Sequence, residues 1–136
     1  MARILGIDYG MKRCGIAATD PMQIIVTGLN TIEESKLLEF ISVYLQTEEV
    51  EKLVIGRPQH ADGTDTYLMK YINKFCEVMK QRYPNIPIEL YDERKTSIQA
   101  AKIIFDSGIP KSKRQNKELI DKVSAVLILQ KYLGHI

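Results

Sequence analysis

The chain has 136 residues, an apolar content of 45%, a charged content of 26% and a formal net charge of +2. No apolar run approaches the ~20 residues needed to span a bilayer, and the first residues lead into a strand pattern without a signal peptide. We therefore expect one soluble cytoplasmic domain over residues 1–136. The only cysteines, Cys14 and Cys76, lack metal-site spacing and are expected to be reduced core thiols.

The first part of the chain alternates between strand and helix patterns. Strands are predicted at residues 3–8, 14–19 and 23–29, and a glycine-containing turn between the first two favours an antiparallel hairpin. Apolar side chains at helical spacing predict a helix at 33–46. A short apolar run at 52–56 indicates a central strand that is covered on both faces.

The second part continues the alternation after a loop at 57–63. The predicted elements are a helix at 64–82, a strand at 88–91, and helices at 96–107 and 117–133. Three strands followed by strand–helix alternation predict an α/β protein, with a mixed five-stranded sheet and helices on both faces. This is the element order expected of a ribonuclease H-like fold, in which the first three strands are antiparallel.

Positive charge is concentrated near the start of the last helix. Residues 111–122 contain Lys111, Lys113, Arg114, Lys117 and Lys122 against Glu118 and Asp121. A local excess of positive charge beside acidic residues suits a polyanion better than a small neutral substrate. On charge alone, a solvated surface loop explains the segment equally well.

Acidic residues follow two strands and begin one helix, in positions where they could meet. Asp8 closes the first strand, Asp92 and Glu93 follow a later strand, and Asp121 lies early in the last helix. Acids gathered at one point repel each other unless a cation joins them, and carboxylate oxygens are preferred ligands of hard cations. The sequence therefore predicts a site for Mg²⁺ or Mn²⁺ and phosphodiester chemistry.

Each acid also has an ordinary explanation. Asp8 could hydrogen-bond its own turn, and an acid in the first helical turn is favoured by the helix dipole, as for Asp121. Strand alternation places Asp92 and Glu93 on opposite sides, so only one of them can readily face a shared site. The sequence leaves open which one does.

Four motifs together resemble the YqgF (RuvX) family, in family order and over nearly the whole chain. They are Gly6-Ile7-Asp8-Tyr9-Gly10 with Lys12-Arg13, Gly56-Arg57-Pro58 with Asp62-Gly63-Thr64, Asp92-Glu93-Arg94 with Thr96-Ser97, and Asp121 with Ser124-Ala125. Each motif is weak alone, and the combination is specific. The chain departs from the family pattern at Lys95 and at His60-Ala61, which leaves the acids unchanged but could alter substrate preference.

The resemblance implies a metal-dependent nuclease, because members of the family are described as pre-16S rRNA nucleases and as Holliday junction resolvases. It implies catalytic roles for Asp8, Glu93 and Asp121 as ligands of a two-metal site, with Asp92 as the alternative to Glu93. The implied substrate is the 5′ end of pre-16S rRNA, in ribosome biogenesis. Branched DNA is the second substrate.

Basic residues near the acids are candidates for phosphate contacts, which set the position of a nucleic acid without reading its sequence. Lys12 and Arg13 lie in the turn that follows Asp8, and the further candidates are Arg57, Arg94, Lys113 and Arg114. His60 could shuttle protons, although a loop histidine is more often merely exposed. Most Tyr and Phe residues lie at core spacing, so no platform for stacking bases is predicted.

Two other classes of protein fit parts of the sequence. The segment Gly6–Gly10 also resembles the phosphate loop of the actin, Hsp70 and sugar kinase superfamily, but those proteins clamp nucleotide between two such domains and this chain has room for one. The third class is a nucleic-acid-binding protein that does not cut. Junction cutting would require a homodimer and processing of one RNA end only a monomer. The sequence leaves the substrate, the preferred metal and the oligomeric state open.

Overall fold

The computed structural model describes residues 2–58, 66–93, 96–106 and 117–136. Its elements are β1 (Arg3–Asp8), β2 (Arg13–Thr19), β3 (Val26–Glu33), α1 (Leu37–Thr47), β4 (Val50–Pro58), α2 (Leu68–Arg82), β5 (Ile88–Glu93), α3 (Thr96–Asp106) and α4 (Lys117–Tyr132). A short 3₁₀ turn, Glu34–Lys36, precedes α1. None of the helices in the described ranges has the length and apolar character that a membrane span requires.

The five strands form one sheet in the order β3-β2-β1-β4-β5. Strand β2 is antiparallel to both β1 and β3, whereas β4 is parallel to β1 and β5 is parallel to β4. Because β1, β4 and β5 run in the same direction, they end at one edge of the sheet, which we call the carboxyl edge. The predicted mixed sheet with three antiparallel strands first is confirmed.

The two faces of the sheet are covered by different helices. Leu5 and Ile7 of β1 pack with α1 and α2, in a cluster that includes Ile41 and Ile72. Ile4 lies on the opposite face, in a second cluster with Ala17, Val54 and three residues of α4, which are Ala125, Ile128 and Leu129. Helix α3 lies against α4. Apolar side chains on both faces explain why the central strands are nearly continuous apolar runs.

Glycines on three neighbouring strands allow α4 to approach the sheet closely. A Cβ atom at Gly15 of β2 would lie 1.9 Å from the carbonyl oxygen of Asp121, and one at Gly6 would lie 2.4 Å from Leu129 Cγ. At Gly28 of β3, the nearest atom would be Lys122 Cγ at 2.9 Å. The absence of side chains at these positions lets α4 lie close against the sheet from Asp121 to Leu129.

The third strand begins later than the sequence pattern predicts, at Val26 instead of residue 23. The carboxylate of Asp20 accepts hydrogen bonds from the backbone N–H groups of Ile24 at 2.7 Å and Ile25 at 2.8 Å. Gln23 has a φ of 59°, which is a turn conformation and not a strand conformation. The prediction at 23–29 was wrong at its start because an aspartate side chain holds an apolar segment in a turn.

Other boundaries differ by a few residues. The predicted helix at 33–46 begins as the 3₁₀ turn and becomes α-helical at Leu37. Strand β4 extends beyond the predicted 52–56 at both ends, so Arg57 belongs to the strand and not to a loop. The remainder of the predicted loop and the basic loop at 109–116 lie outside the described residues.

Candidate active site

The structure brings Asp8 and Asp121 together at the carboxyl edge. Asp8 is the last residue of β1, and its Cα partner on β2 is Gly15. The backbone of Asp121 lies directly over the same glycine, as the 1.9 Å approach to its missing Cβ shows. The two acids, which are 113 positions apart in the sequence by their residue numbers, therefore flank one small residue. Both are partly buried.

The pKa of the Cys14 thiol reflects the negative charge near these acids. Cys14 is fully buried, and the pKa of its thiol is raised from 9.0 to about 12, mainly by burial. The negative charges of Glu34, Asp8 and Asp121 contribute to this increase, because each of them disfavours a thiolate. Three carboxylates thus lie within electrostatic reach of one sulfur atom, so negative charge is concentrated at this end of the hairpin.

We expect Cys14 to resist alkylation in the folded protein, because the thiolate is the reactive form and the raised pKa keeps the thiol protonated near about pH 8. Cys76 is only half-buried, so it should be alkylated first, although burial also raises the pKa of its thiol. Mass spectrometry of peptides after iodoacetamide treatment measures both sites. Fast labelling of Cys14 without denaturant would contradict this environment; in denaturant the two rates should converge.

Asp121 is paired with Arg13 of β2. The guanidinium Nε of Arg13 lies 3.4 Å from Asp121 Oδ2, and the two side chains are 32% and 24% exposed. The two partners are 108 residues apart in the sequence, so no local pattern indicates this pairing. A cation therefore already lies against one of the predicted metal-binding carboxylates, and that cation belongs to the chain itself.

Replacing Arg13 with Gln should lower the free energy of unfolding by no more than about 1 kcal/mol, because partly exposed ion pairs are weakened by solvent and by salt. Urea denaturation of Arg13→Gln, beside Lys12→Gln in the same turn, measures the difference. Lys12 is exposed and provides the matched loss of one positive charge. A loss several times larger would mean that Arg13 holds α4 on the sheet in addition to offsetting the charge of Asp121.

The acids of β5 occupy alternate positions on the strand. Tyr91 packs in the cluster under α4, so Asp92, the next residue, belongs to the opposite side of β5. Asp92 is exposed, and its Cα partner on β4 is Arg57. Glu93 is paired with Pro58 at the carboxyl edge. The side chain of Glu93 lies outside the described residues.

No three histidine, cysteine or acidic side chains among those described are close enough to hold a metal ion. Asp8, Asp92 and Asp121 therefore do not form such a group. This finding does not bear on the predicted combination of Asp8, Glu93 and Asp121, because the side chain of Glu93 lies outside the described residues.

The phosphate candidates are distributed along the same edge. Lys12 and Arg13 line a cleft of about 480 Å³ beside the β1–β2 turn, and Glu33 and Glu34 line its other side. Arg57 is half-buried near the end of β4. Three of the other predicted residues, Arg94, Lys113 and Arg114, lie outside the described residues, as does His60.

The fold is that of a ribonuclease H-like protein. Thermus thermophilus RuvC, solved in complex with a Holliday junction substrate, is similar over 98% of this chain and 97% of that chain, with a TM-score of 0.55 and 13% identity. The sequence matches the model of the RuvX family, described as "Holliday junction resolvase", over residues 2–135. The chain therefore belongs to the RuvX family.

Curated relatives match nearly the full length. A protein of Bacteroides fragilis named "Putative pre-16S rRNA nuclease" is 46% identical over 133 residues, which cover 98% of this chain and 96% of that protein. A protein of the same name from Porphyromonas gingivalis is 47% identical over 135 residues, covering 99% and 98% of the two chains.

Proposed function

We propose that this protein is a divalent-metal-dependent nuclease that hydrolyses phosphodiester bonds in structured nucleic acid, with the 5′ end of pre-16S rRNA as its substrate. The observation that carries the proposal is the meeting of Asp8 and Asp121 across Gly15 at the carboxyl edge of the sheet. Two carboxylates from the first strand and the last helix make up most of the acidic site that the sequence predicts.

The proposed ligands of the metal ions are Asp8, Asp121 and Glu93. Register supports Glu93 over Asp92: Tyr91 lies on the α4 face, and Glu93 is two positions further along the same strand. Gly6 also faces α4, which places Asp8 in the same alternating series of β1. The donor set suits hard cations, because it consists of carboxylate oxygens.

Arg13 lies 3.4 Å from Asp121 and offsets the charge of that carboxylate, so a bound divalent cation would take over part of this role. Bound divalent cations would supply an activated nucleophile and offset the charge that develops on the phosphate. Arg13 and Lys12, both at least partly exposed, would bind the phosphates that flank the cut. Asp8 and Asp121 would hold the cations in place.

The RNA substrate is supported by the relatives, which match at 40–47% identity over nearly their whole length and are named for pre-16S rRNA. Cleavage of Holliday junctions is the second candidate, because the matching family model carries that description. The two candidates differ in the assembly that they require: two symmetric cuts call for a dimer, and one RNA end calls for a monomer.

The test is incubation of the purified protein with pre-16S rRNA carrying its 5′ extension and with a four-way DNA junction, each in Mg²⁺, in Mn²⁺ and in EDTA. Metal-dependent trimming of the RNA supports the proposal, and cutting of the junction alone supports the second candidate. Binding without cleavage in any metal would instead identify a nucleic-acid-binding protein that does not cut. Light scattering on the same samples gives the oligomeric state.

A further inference from the structure

A second cavity lies on the other face of the sheet, beside the residue that follows Asp8. Its volume is about 350 Å³, and its walls come from the β1–β2 turn, the 3₁₀ turn, α1 and α2. We propose that this cavity, which we call the base pocket, binds an unpaired nucleobase of the substrate next to the bond that is cut. The inference rests on the proposed function and adds a specificity site to it.

The size and walls of the base pocket suit a flat aromatic group. Its volume lies at the lower end of the ~300–1,000 Å³ typical of small-molecule sites. Tyr9 and Phe75 form one wall with ring centroids 6.2 Å apart, and Leu38 and Val78 add apolar surface. Tyr71 contributes a ring that is 38% exposed. Nucleobases stack on aromatic side chains because every base has a π-face.

The aromatic residues at helical spacing in 64–82 belong only partly to the core. Phe75 is buried, but Tyr71 and Tyr67 are 38% and 71% exposed. The stacking surface was not predicted because Tyr9 and Tyr71 come from distant parts of the sequence and meet only in the folded protein.

The polar groups of the base pocket match the edge of a base. Tyr9 donates a hydrogen bond to Glu34 Oε1 at 2.7 Å. The second carboxylate oxygen of Glu34, Oε2, is not the acceptor in that hydrogen bond. A carboxylate oxygen accepts well from the amino group of a base, as in contacts to cytosine N4.

Charge favours a base over a phosphate inside the pocket, with phosphate contacts at its sides. The carboxylate of Glu34 would repel a phosphate inside the pocket. Lys74 also lines the pocket, and its ammonium group can bind a phosphate at the rim. Glu34 and Ser35 form a wall shared with the cleft that contains Lys12 and Arg13. The N–H of Glu34 also donates to the carbonyl oxygen of Lys12 at 3.0 Å. The base pocket and the cleft with Lys12 and Arg13 therefore lie on opposite sides of the wall formed by Glu34 and Ser35.

The base pocket is also close to the proposed catalytic carboxylates. Tyr9, which lines the pocket, directly follows Asp8, the last residue of β1. A nucleotide whose base enters the pocket would therefore have its backbone near the carboxyl edge. An unpaired nucleotide at or beside the cut follows as a requirement of the substrate.

The first experiment measures cleavage of the preferred substrate with an abasic nucleotide placed at successive positions around the cut. At one position, the abasic substrate should raise the KM of the wild-type protein about tenfold, the effect of losing one stacked base. Tyr71→Ala should raise the KM for the intact substrate by a similar factor and add little on the abasic one. Tyr67→Ala is the matched control. Tyr67 lies four residues before Tyr71, at the start of α2, and does not line the pocket.

Equal cleavage of intact and abasic substrates at every position would overturn the base pocket, and so would equal KM values for Tyr71→Ala and Tyr67→Ala. An altered oligomeric state of Tyr71→Ala with an unchanged KM would also overturn it, in favour of a protein contact. These outcomes leave metal-dependent cleavage intact, so they are distinguishable from failure of the proposed function.

A second measurement does not depend on cleavage. NMR titration of the protein with the four nucleoside monophosphates should shift the signals of Tyr9, Tyr71 and Lys74, and Glu34→Gln should change the order of preference among the bases. Shifts confined to other residues, or no shifts at all, would overturn the inference even in a protein that cuts RNA.

Discussion

Asp8→Asn is expected to lower the rate of metal-dependent cleavage by at least about a hundredfold, because replacing even the outer partners of a metal site costs about 10–100-fold. Asparagine is nearly isosteric, so the fold should be retained, but it lacks the negative charge that holds a divalent cation. Asp8 also ends a central strand, where few other groups can take its place. Single-turnover cleavage under saturating Mg²⁺ measures the effect.

Asp106→Asn provides the control, because Asp106 is an exposed acid on α3 and its loss changes the net charge equally. Asp121→Asn should show a loss similar to that of Asp8→Asn. The double variant should be little worse than either single one, since residues that act as a unit are not additive. Full activity of Asp8→Asn would remove this aspartate from the chemistry and leave the proposed site without its first ligand.

Gly15→Ala is expected to destabilise the protein by about 3 kcal/mol or more, at the upper end of the cost of overpacking. The added methyl group would lie 1.9 Å from the carbonyl oxygen of Asp121 and 2.4 Å from its carbonyl carbon. These are backbone atoms, so no change of side-chain rotamer relieves the clash, and the part of α4 around Asp121 must move. Asp121 moves with it, so the folded fraction should also lose cleavage activity.

Gly28→Ala is the matched control for the same interface. There the nearest atom, at 2.9 Å, is Cγ of the flexible Lys122 side chain, which can move aside. Urea denaturation should therefore show a much smaller loss for Gly28→Ala, within about 1 kcal/mol. Equal losses for the two variants would mean that the close contact at Gly15 does not determine the position of α4.

Much of the fold follows from local patterns in the sequence. Strand β1 has the predicted bounds, and the last helix ends within one residue of its predicted end. The position of Asp8 at a central strand end follows from the same pattern. Local patterns are reliable here because each central strand contains a nearly continuous apolar run, which distinguishes it from the amphipathic helices.

Long-range pairing could not be predicted in the same way. The ion pair of Arg13 with Asp121 and the contact of Asp121 with Gly15 join the first hairpin to the last helix. Neither residue type signals its partner, since arginine in a turn and aspartate in a first helical turn are both ordinary surface residues. The exposure of Tyr71 could not be predicted either. Helical spacing shows which residues share a face of the helix, but not how much of that face a neighbouring helix covers.

The closure of the site over Gly15 has a consequence for when the protein can act. Arg13 and Asp121 are 108 residues apart, so their contact costs loop-closure entropy that other interactions of the fold must offset. The two acids are separate until α4 docks on the sheet. A partly folded chain has no assembled acidic site, so hydrolytic activity would appear only when folding is complete.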